Sequence, residues 1–402
     1  MIAENKRAWA HLDIFLIVVV YALAILGVYS VAVATYSTSS SPDASLLSHV
    51  VESSYAMRQG LFVLLSPVIL SVMLALRYQW LRRYAGVIYF ATVGLVAVVW
   101  VFNRATGVKQ WLDLFMGYTV QPTEFAKLAI ILLLARELSK SETPMSTVKD
   151  FIRLNLMILI PGAIITLSGE TGSFVVIAFI YAIMLFFGKV KFRVLAFMAG
   201  VVILGALALY AFAMVADSQD YRLMRIVSFF NPEAYASSSA YQQTQSMMAI
   251  GSGGLTGVGS FVDGALYQLN YVPADWTDFI FATIGESCGF VGCMGVLAMY
   301  LFIVLRMFYL ARYTRDRFGM LVIVGVASMF LFHVVQNIGM TTGLLPITGI
   351  PLPFLSYGGS NMITNMAGIG LVLNVTKNRS LTGSFSTPQN EISIRKYSGS
   401  YR

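Results

Sequence analysis

Long apolar runs separated by short polar segments make up most of this chain. A membrane-spanning helix needs about 20 mostly apolar residues. Ten stretches are candidates: roughly 14–34, 60–76, 85–102, 123–136, 154–168, 173–188, 194–215, 280–305, 318–340 and 359–375. Only Gly169-Glu-Thr-Gly172 separates the fifth from the sixth, so these two read either as separate spans or as one broken helix. The pattern predicts an all-α polytopic membrane protein. Two interruptions stand out. A large polar loop, 216–280, divides spans seven and eight. Between spans nine and ten, Gly343 to Ser360 is apolar but broken by Pro and Gly. Irregular backbone at membrane depth must be covered by protein or line a cavity, which predicts a re-entrant segment. Residues 1–379 then form a single transmembrane domain. Residues 380–402, rich in Ser and poor in apolar groups, read as a disordered tail.

Composition agrees: 57% of the 402 residues are hydrophobic and 11% charged, against about 25% charged in a soluble domain. Lys and Arg collect in cytoplasmic loops. With ten spans, 21 of the 27 basic residues fall on the side of both termini, which places those termini in the cytoplasm. The net charge of +8 is then a topology signal with attraction to anionic membrane lipids, not a sign of nucleic-acid binding. The first apolar stretch is too long for the 7–15-residue core of a signal peptide. Cys288 and Cys293 point to different faces of the eighth span and read as packing residues. His333 and Asn337, one turn apart in the ninth, suit hydrogen bonding between helices.

Ionisable groups inside a membrane are expensive and are functional candidates. Glu124 and Lys127 sit in Gln121-Pro-Thr-Glu-Phe-Ala-Lys127, with Pro122 suited to a first helical turn. They form either a structural ion pair or a site where Lys127 meets a phosphate or diphosphate. Glu170 is a second acid at similar depth, able to pair with Lys127 or a helix N-terminus. Trp111 beside Lys109 is either an interface anchor or a stacking surface for a sugar. The Gly251–Gly259 run is either a flexible turn or a phosphate cradle, and it lacks the ending of a P-loop. Tyr241 to Ile250 suits a helix lying in the interface. Asp278 opens the eighth span: it is either a helix-dipole acid or a general base tuned by apolar neighbours.

As a group these motifs resemble one family, the SEDS proteins of shape, elongation, division and sporulation. The resemblance runs from Trp111 to about Asn374. It is carried by Gln121-Pro-Thr-Glu124 with Lys127, Tyr241-Gln242 with Gln245-Ser246, Gly253-Gly254, Thr277-Asp-Phe-Ile-Phe281 with Glu286, and Asn337-Ile-Gly-Met340 through Ser356-Tyr-Gly-Gly-Ser360. The Gly343–Pro353 stretch is more similar to the RodA branch than to FtsW. The resemblance implies a peptidoglycan glycosyltransferase that polymerises lipid II at the outer face of the bacterial cytoplasmic membrane, working with a class B penicillin-binding protein. It puts the catalytic aspartate at Asp278. The candidate substrate-binding residues are Lys127, Glu124, Glu170, Trp111, Lys109, Gln245, Ser246 and Ser356, with Glu124 and Glu170 orienting Lys127 or binding a metal. A divalent cation, Mg or Mn, is a further candidate aid to the leaving group. The chain departs from the family pattern at Gln110, Glu170, Trp276 and Ser287. A lipid II flippase and a non-catalytic scaffold remain as alternatives.

Overall fold

The computed structural model describes residues 12–36, 46–103, 110–113, 119–215, 221–230, 240–269 and 271–382. In chain order its helices are α1 (Ile14–Ala34), α2 (Leu46–Glu52), α3 (Ser54–Ala75), α4 (Tyr78–Phe102), α5 (Pro122–Ser139), α6 (Val148–Leu167), α7 (Thr171–Phe187), α8 (Phe192–Val215), α9 (Tyr221–Phe230), α10 (Tyr241–Ser252), α11 (Ile280–Arg312), α12 (Arg317–Thr341) and α13 (Gly359–Thr382). A two-residue ribbon, β1 (Leu112–Asp113) with β2 (Thr119–Val120), pairs antiparallel before α5. Lys109 and the tail beyond 382 lie outside the described residues.

Ten of these helices occupy the ten predicted positions. Six of them, α1, α3, α4, α6, α11 and α12, are long and apolar enough to cross a membrane by length and composition. The outer helices turn large apolar side chains outwards, such as Phe15, Phe90 and Phe102. In water such a surface would be an aggregation hazard, whereas lipid covers it at no cost. The fifth and sixth stretches are two helices, α6 and α7. They fold back as a hairpin so tight that a Cβ on Gly162 would meet the Phe174 ring at 2.3 Å.

Local signals set the helix starts. Asp13 caps α1 by accepting from the Leu16 amide at 3.1 Å, and its other oxygen takes Arg306 Nε at 2.6 Å, tying α1 to α11. Thr147 caps α6 and Asp316 caps α12. Pro122 opens α5, where its missing N–H costs nothing.

The Gly251–Gly259 run does turn, and the turn is packed rather than loose. α11 breaks at Gly289, where φ is +64° and ψ −163°. The glycine run packs into that break. The amides of Val258, Gly259, Phe290 and Val291 donate to the carbonyls of Glu286, Ser287, Gly254 and Leu255 respectively. Backbone meets backbone so closely that a Cβ on Gly253 would lie 2.0 Å from the Gly285 oxygen. The run supplies the hydrogen bonds that the broken helix lacks.

α10 buries Gln243, Ser246 and Ala249 on one face. That face closes the C-terminal end of α12, whose last carbonyls have no partner within their own helix. Gln243 Nε2 donates to the carbonyls of Met340 and Leu345, both at 2.9 Å, and Ser246 Oγ donates to Thr341 O at 2.9 Å. The large loop is thus fastened to the bundle along much of its second half. Its backbone also meets a helix further on: the Glu286 carboxylate of α11 accepts the amides of Leu266 and Tyr267.

Candidate active site

A cavity of about 430 Å³ opens at one end of the bundle. Four helices begin at it. Gln121, Glu124 and Lys127 come from the start of α5, and Glu170, Thr171 and Ser173 from the start of α7. Thr277 and Asp278 come from the start of α11, and Gly358, Ser360 and Asn361 from the start of α13. A helix N-terminus carries a partial positive charge and unpaired N–H groups. Four of them around one cavity, with Lys127 and Arg225 in its wall, make a field suited to an anion.

Lys127 is 1% exposed, and its Nζ lies 2.9 Å from Glu124 Oε1 and 3.1 Å from His333 Nε2. The ion pair foreseen between positions 124 and 127 therefore exists, and it also forms part of the cavity wall. Glu170 stands at the N-cap position of α7 without capping it. It does not pair with Lys127 as one reading of the sequence expected; neither of its carboxylate oxygens has a hydrogen-bond partner of normal geometry among the described residues. Burial pushes its carboxyl up to about 7, while nearby Thr123 pulls it down.

Asp278 precedes α11 and is partly buried. Desolvation raises its carboxyl to about 6, against the pull of Arg225. The irregular segment faces it: a Cβ built on Gly349, at φ +69°, would lie 3.4 Å from Asp278 Oδ2. Asn337 of α12 joins the two, its Nδ2 donating to Asp278 O at 2.7 Å and Ile350 O at 2.8 Å. Of the two residues expected to bond between helices, His333 reaches Lys127 of α5, while Asn337 bonds to the backbone just before α11 and to the irregular segment.

Trp111 lines the cavity, and its carbonyl accepts from Asn103 Nδ2 at 2.6 Å. Gln245, Ser246 and Ser356 stand outside the lining. Ser246 caps α12 as described. Ser356, 1% exposed, donates to Thr277 O at 2.6 Å and accepts the Leu352 amide at 2.8 Å. These contacts fix the segment in front of Asp278, where direct substrate contact was expected. Among the described residues no group of three or more His, Cys, Asp or Glu is placed to hold a metal ion.

Sequence reasoning missed Arg225, counting it only as a topology charge. It lines the cavity from α9, its Nη1 3.5 Å from Ile347 O. The available signal was a basic residue on the side opposite the termini, within a short apolar stretch. Tyr357 was also missed as a lining residue; its amide donates to Trp276 O at 3.0 Å. Tyr55 stacks on Trp276 at 5.4 Å between ring centroids.

Fold and site together define a polytopic α-helical membrane protein with a charged cavity at one end. Residues 14–381 match the family described as Cell cycle protein, that of FtsW, RodA and SpoVE. The chain is a member of this SEDS family. It is 32% identical over 317 residues to the peptidoglycan glycosyltransferase MrdB of Escherichia coli K12, covering 78% of this chain and 83% of that one. It is 32% identical over 327 residues to stage V sporulation protein E of Bacillus subtilis, covering 80% and 87%. Among solved structures it matches a chain of a peptidoglycan synthase complex with a TM-score of 0.72 and 28% identity, covering 92% of this chain and 98% of that one. It matches RodA of Thermus thermophilus with a TM-score of 0.65 and 27% identity, covering 92% and 97%.

Proposed function

We propose that this protein is a peptidoglycan glycosyltransferase that polymerises lipid II at the outer face of the bacterial cytoplasmic membrane, in complex with a class B penicillin-binding protein. The observation that carries this reading is the pairing of Asp278 with Lys127 in one cavity where four helix N-termini meet. The relatives named as glycosyltransferases and the structural likeness to a synthase complex support it. The cavity lies at the end of the bundle opposite Arg136, Lys149, Lys189, Arg306 and Arg312. By the positive-inside rule those residues face the cytoplasm, as do both termini, and the cavity faces out.

The chemistry is an inverting displacement at an anomeric carbon. Asp278 takes the proton of an acceptor sugar hydroxyl, and that oxygen attacks the anomeric carbon of a second lipid-linked sugar. The bond to the lipid diphosphate breaks, and its electron pair leaves with the diphosphate. A carboxylate with its pKa pushed up to about 6 is near the optimum for a base working at neutral pH. The leaving anion needs positive charge more than it needs a proton. Lys127 and the four N-termini supply it in place before reaction, which is where electrostatic catalysis gains most. Glu124 holds Lys127, Glu170 shapes the field beside it, and Trp111 and Tyr357 offer aromatic faces to a sugar ring. The role is cell-wall elongation, carried by a single domain over 1–379.

The test uses purified protein with its class B partner and labelled lipid II, comparing wild type with Asp278→Asn. Glycan chains from wild type alone are expected. Chains from a folded Asp278→Asn protein at the wild-type rate would remove Asp278 as the base. No chains from wild type would favour the flippase or scaffold alternative.

A further inference from the structure

His333 and Asn337 lie four residues apart on α12, hence on one face of it, and both are 0% exposed. α12 is the most enclosed of the six long apolar helices, with 78% of its apolar window buried, against 39% or less in the others. It is therefore a stiff reference for whatever it touches. His333 Nε2 is 3.1 Å from Lys127 Nζ. An ammonium has three donors and no acceptor, so Nε2 accepts here and the ring is neutral, with its proton on Nδ1. Lys127 is thus held from two sides, by Glu124 one turn back on its own helix at 2.9 Å and by His333 from across the bundle. A self-contained ion pair at i, i+3 has no need of the second contact.

One turn along, Asn337 spends its amide on the carbonyls of Asp278 and Ile350. The same face of the same helix therefore holds the cavity's cation through one residue and the backbone of its acid through the next. The rise between them is about 6 Å, four residues at 1.5 Å each.

We infer that α12 acts as a ruler for the active site, with His333 and Asn337 as positioning residues that set the separation and relative aim of Lys127 and Asp278. This rests on the glycosyltransferase reading above. His333 touches no substrate; its work is to hold the Lys127 ammonium where the leaving diphosphate develops charge. A displacement of about 1 Å at such a site costs on the order of 100-fold in rate.

Reach separates this role from plain core packing. His333→Gln places an acceptor near the position of Nε2, while His333→Asn is equally polar but too short to reach Lys127. Both are measured as purified complexes with the class B partner, for kcat and KM with lipid II and for thermal midpoint. The expected result is that His333→Gln keeps kcat within a few-fold of wild type. His333→Asn should lose on the order of 100-fold in kcat, with KM little changed. Equal kcat in the two variants, or a loss confined to KM, would overturn the inference. If His333→Asn does not fold, His333→Ser takes its place, and a His333→Gln protein that folds less well than the shorter variants would itself overturn the inference. Asp278→Asn is run in parallel. Activity in that variant removes Asp278 as the base, no glycan from wild type fails the glycosyltransferase reading itself, and dependence on Asp278 with indifference to reach at 333 fails only the ruler.

Discussion

Replacing Lys127 with Met separates what the 124–127 pair does for the fold from what it does for the reaction. Lys127 and Glu124 are 1% and 3% exposed, and the bond between them is 2.9 Å. Removing one partner of such a pair leaves an uncompensated buried charge and costs about 3–5 kcal/mol. Lys127→Met should therefore lower the thermal midpoint markedly, and His333 Nε2, left without its donor, adds to the loss. Replacing both partners with uncharged groups of similar volume is often neutral or stabilising. Lys127→Met/Glu124→Gln should thus recover most of the midpoint. It should recover no polymerisation, because no cation remains to meet the diphosphate. The assay is thermal unfolding in detergent, with glycan synthesis measured on the same preparations. A single variant as stable as wild type would refute the energetic argument. A double variant that makes glycan would refute the role given to Lys127.

Three further outcomes are expected. Asp278 must be ionised to act as a base, so with a pKa of about 6 the rate should fall about tenfold per pH unit below 6 and level off above it; a flat profile from pH 7 to 5 would contradict the assignment. Asp275 is 1% exposed, and desolvation raises its carboxyl to about 8 from 3.8. A raised folded-state value means stability that is present in acid and is lost as pH rises through 8, at about 1.4 kcal/mol per unit above the ordinary carboxylate range. Asp275→Asn should therefore raise the thermal midpoint more at pH 8 than at pH 5, and an unchanged pH slope would count against this. Gly349→Ala puts a Cβ at φ +69° and 3.4 Å from Asp278 Oδ2. The left-handed backbone costs about 1–2 kcal/mol, so the variant should be less stable and slower in the lipid II assay, and wild-type kinetics would show that this approach does not matter.

What the chain discloses without its fold depends on how far apart the partners are. Glu124 and Lys127 are three residues apart, so one turn of helix brings them together and the pair is readable in advance. His333 and Asn337 are four apart, so their common face is readable too. Their targets, Lys127 at 206 residues' distance and Asp278 at 59, are not, because periodicity says which residues share a face and nothing about what that face meets. The glycine run fails for the same reason. Gly253 and Gly257 look like loop punctuation until Gly285 and Gly289 are seen pressed against them. Close backbone approach is a property of two segments, and either one alone reads as flexibility. Ser246 and Ser356 share this fate. Their hydroxyls suit a substrate as well as a carbonyl, and only the fold shows that Thr341 and Thr277 already take them.

The convergence of helix starts on the cavity is half readable, and the half that is missing is instructive. Ten apolar helices threaded alternately up and down must begin every even-numbered one on the same side. In the order of the ten apolar helices α5, α7, α11 and α13 are the fourth, sixth, eighth and tenth, so their positive ends face one way as a consequence of counting alone. Counting also gives the second span, α3, the same direction, yet none of its residues lines the cavity. Its first turn brings Tyr55 onto Trp276 instead. Which four of the five starts surround a common space is decided by packing. Small and interlocking residues carry that decision: Gly172 lets the start of α7 come so near that a Cβ there would lie 2.6 Å from Thr348 O. Ser360 of α13 accepts the Gln121 amide at 3.0 Å, fastening it to the start of α5. Topology orients the dipoles, and a few close contacts gather them around Asp278.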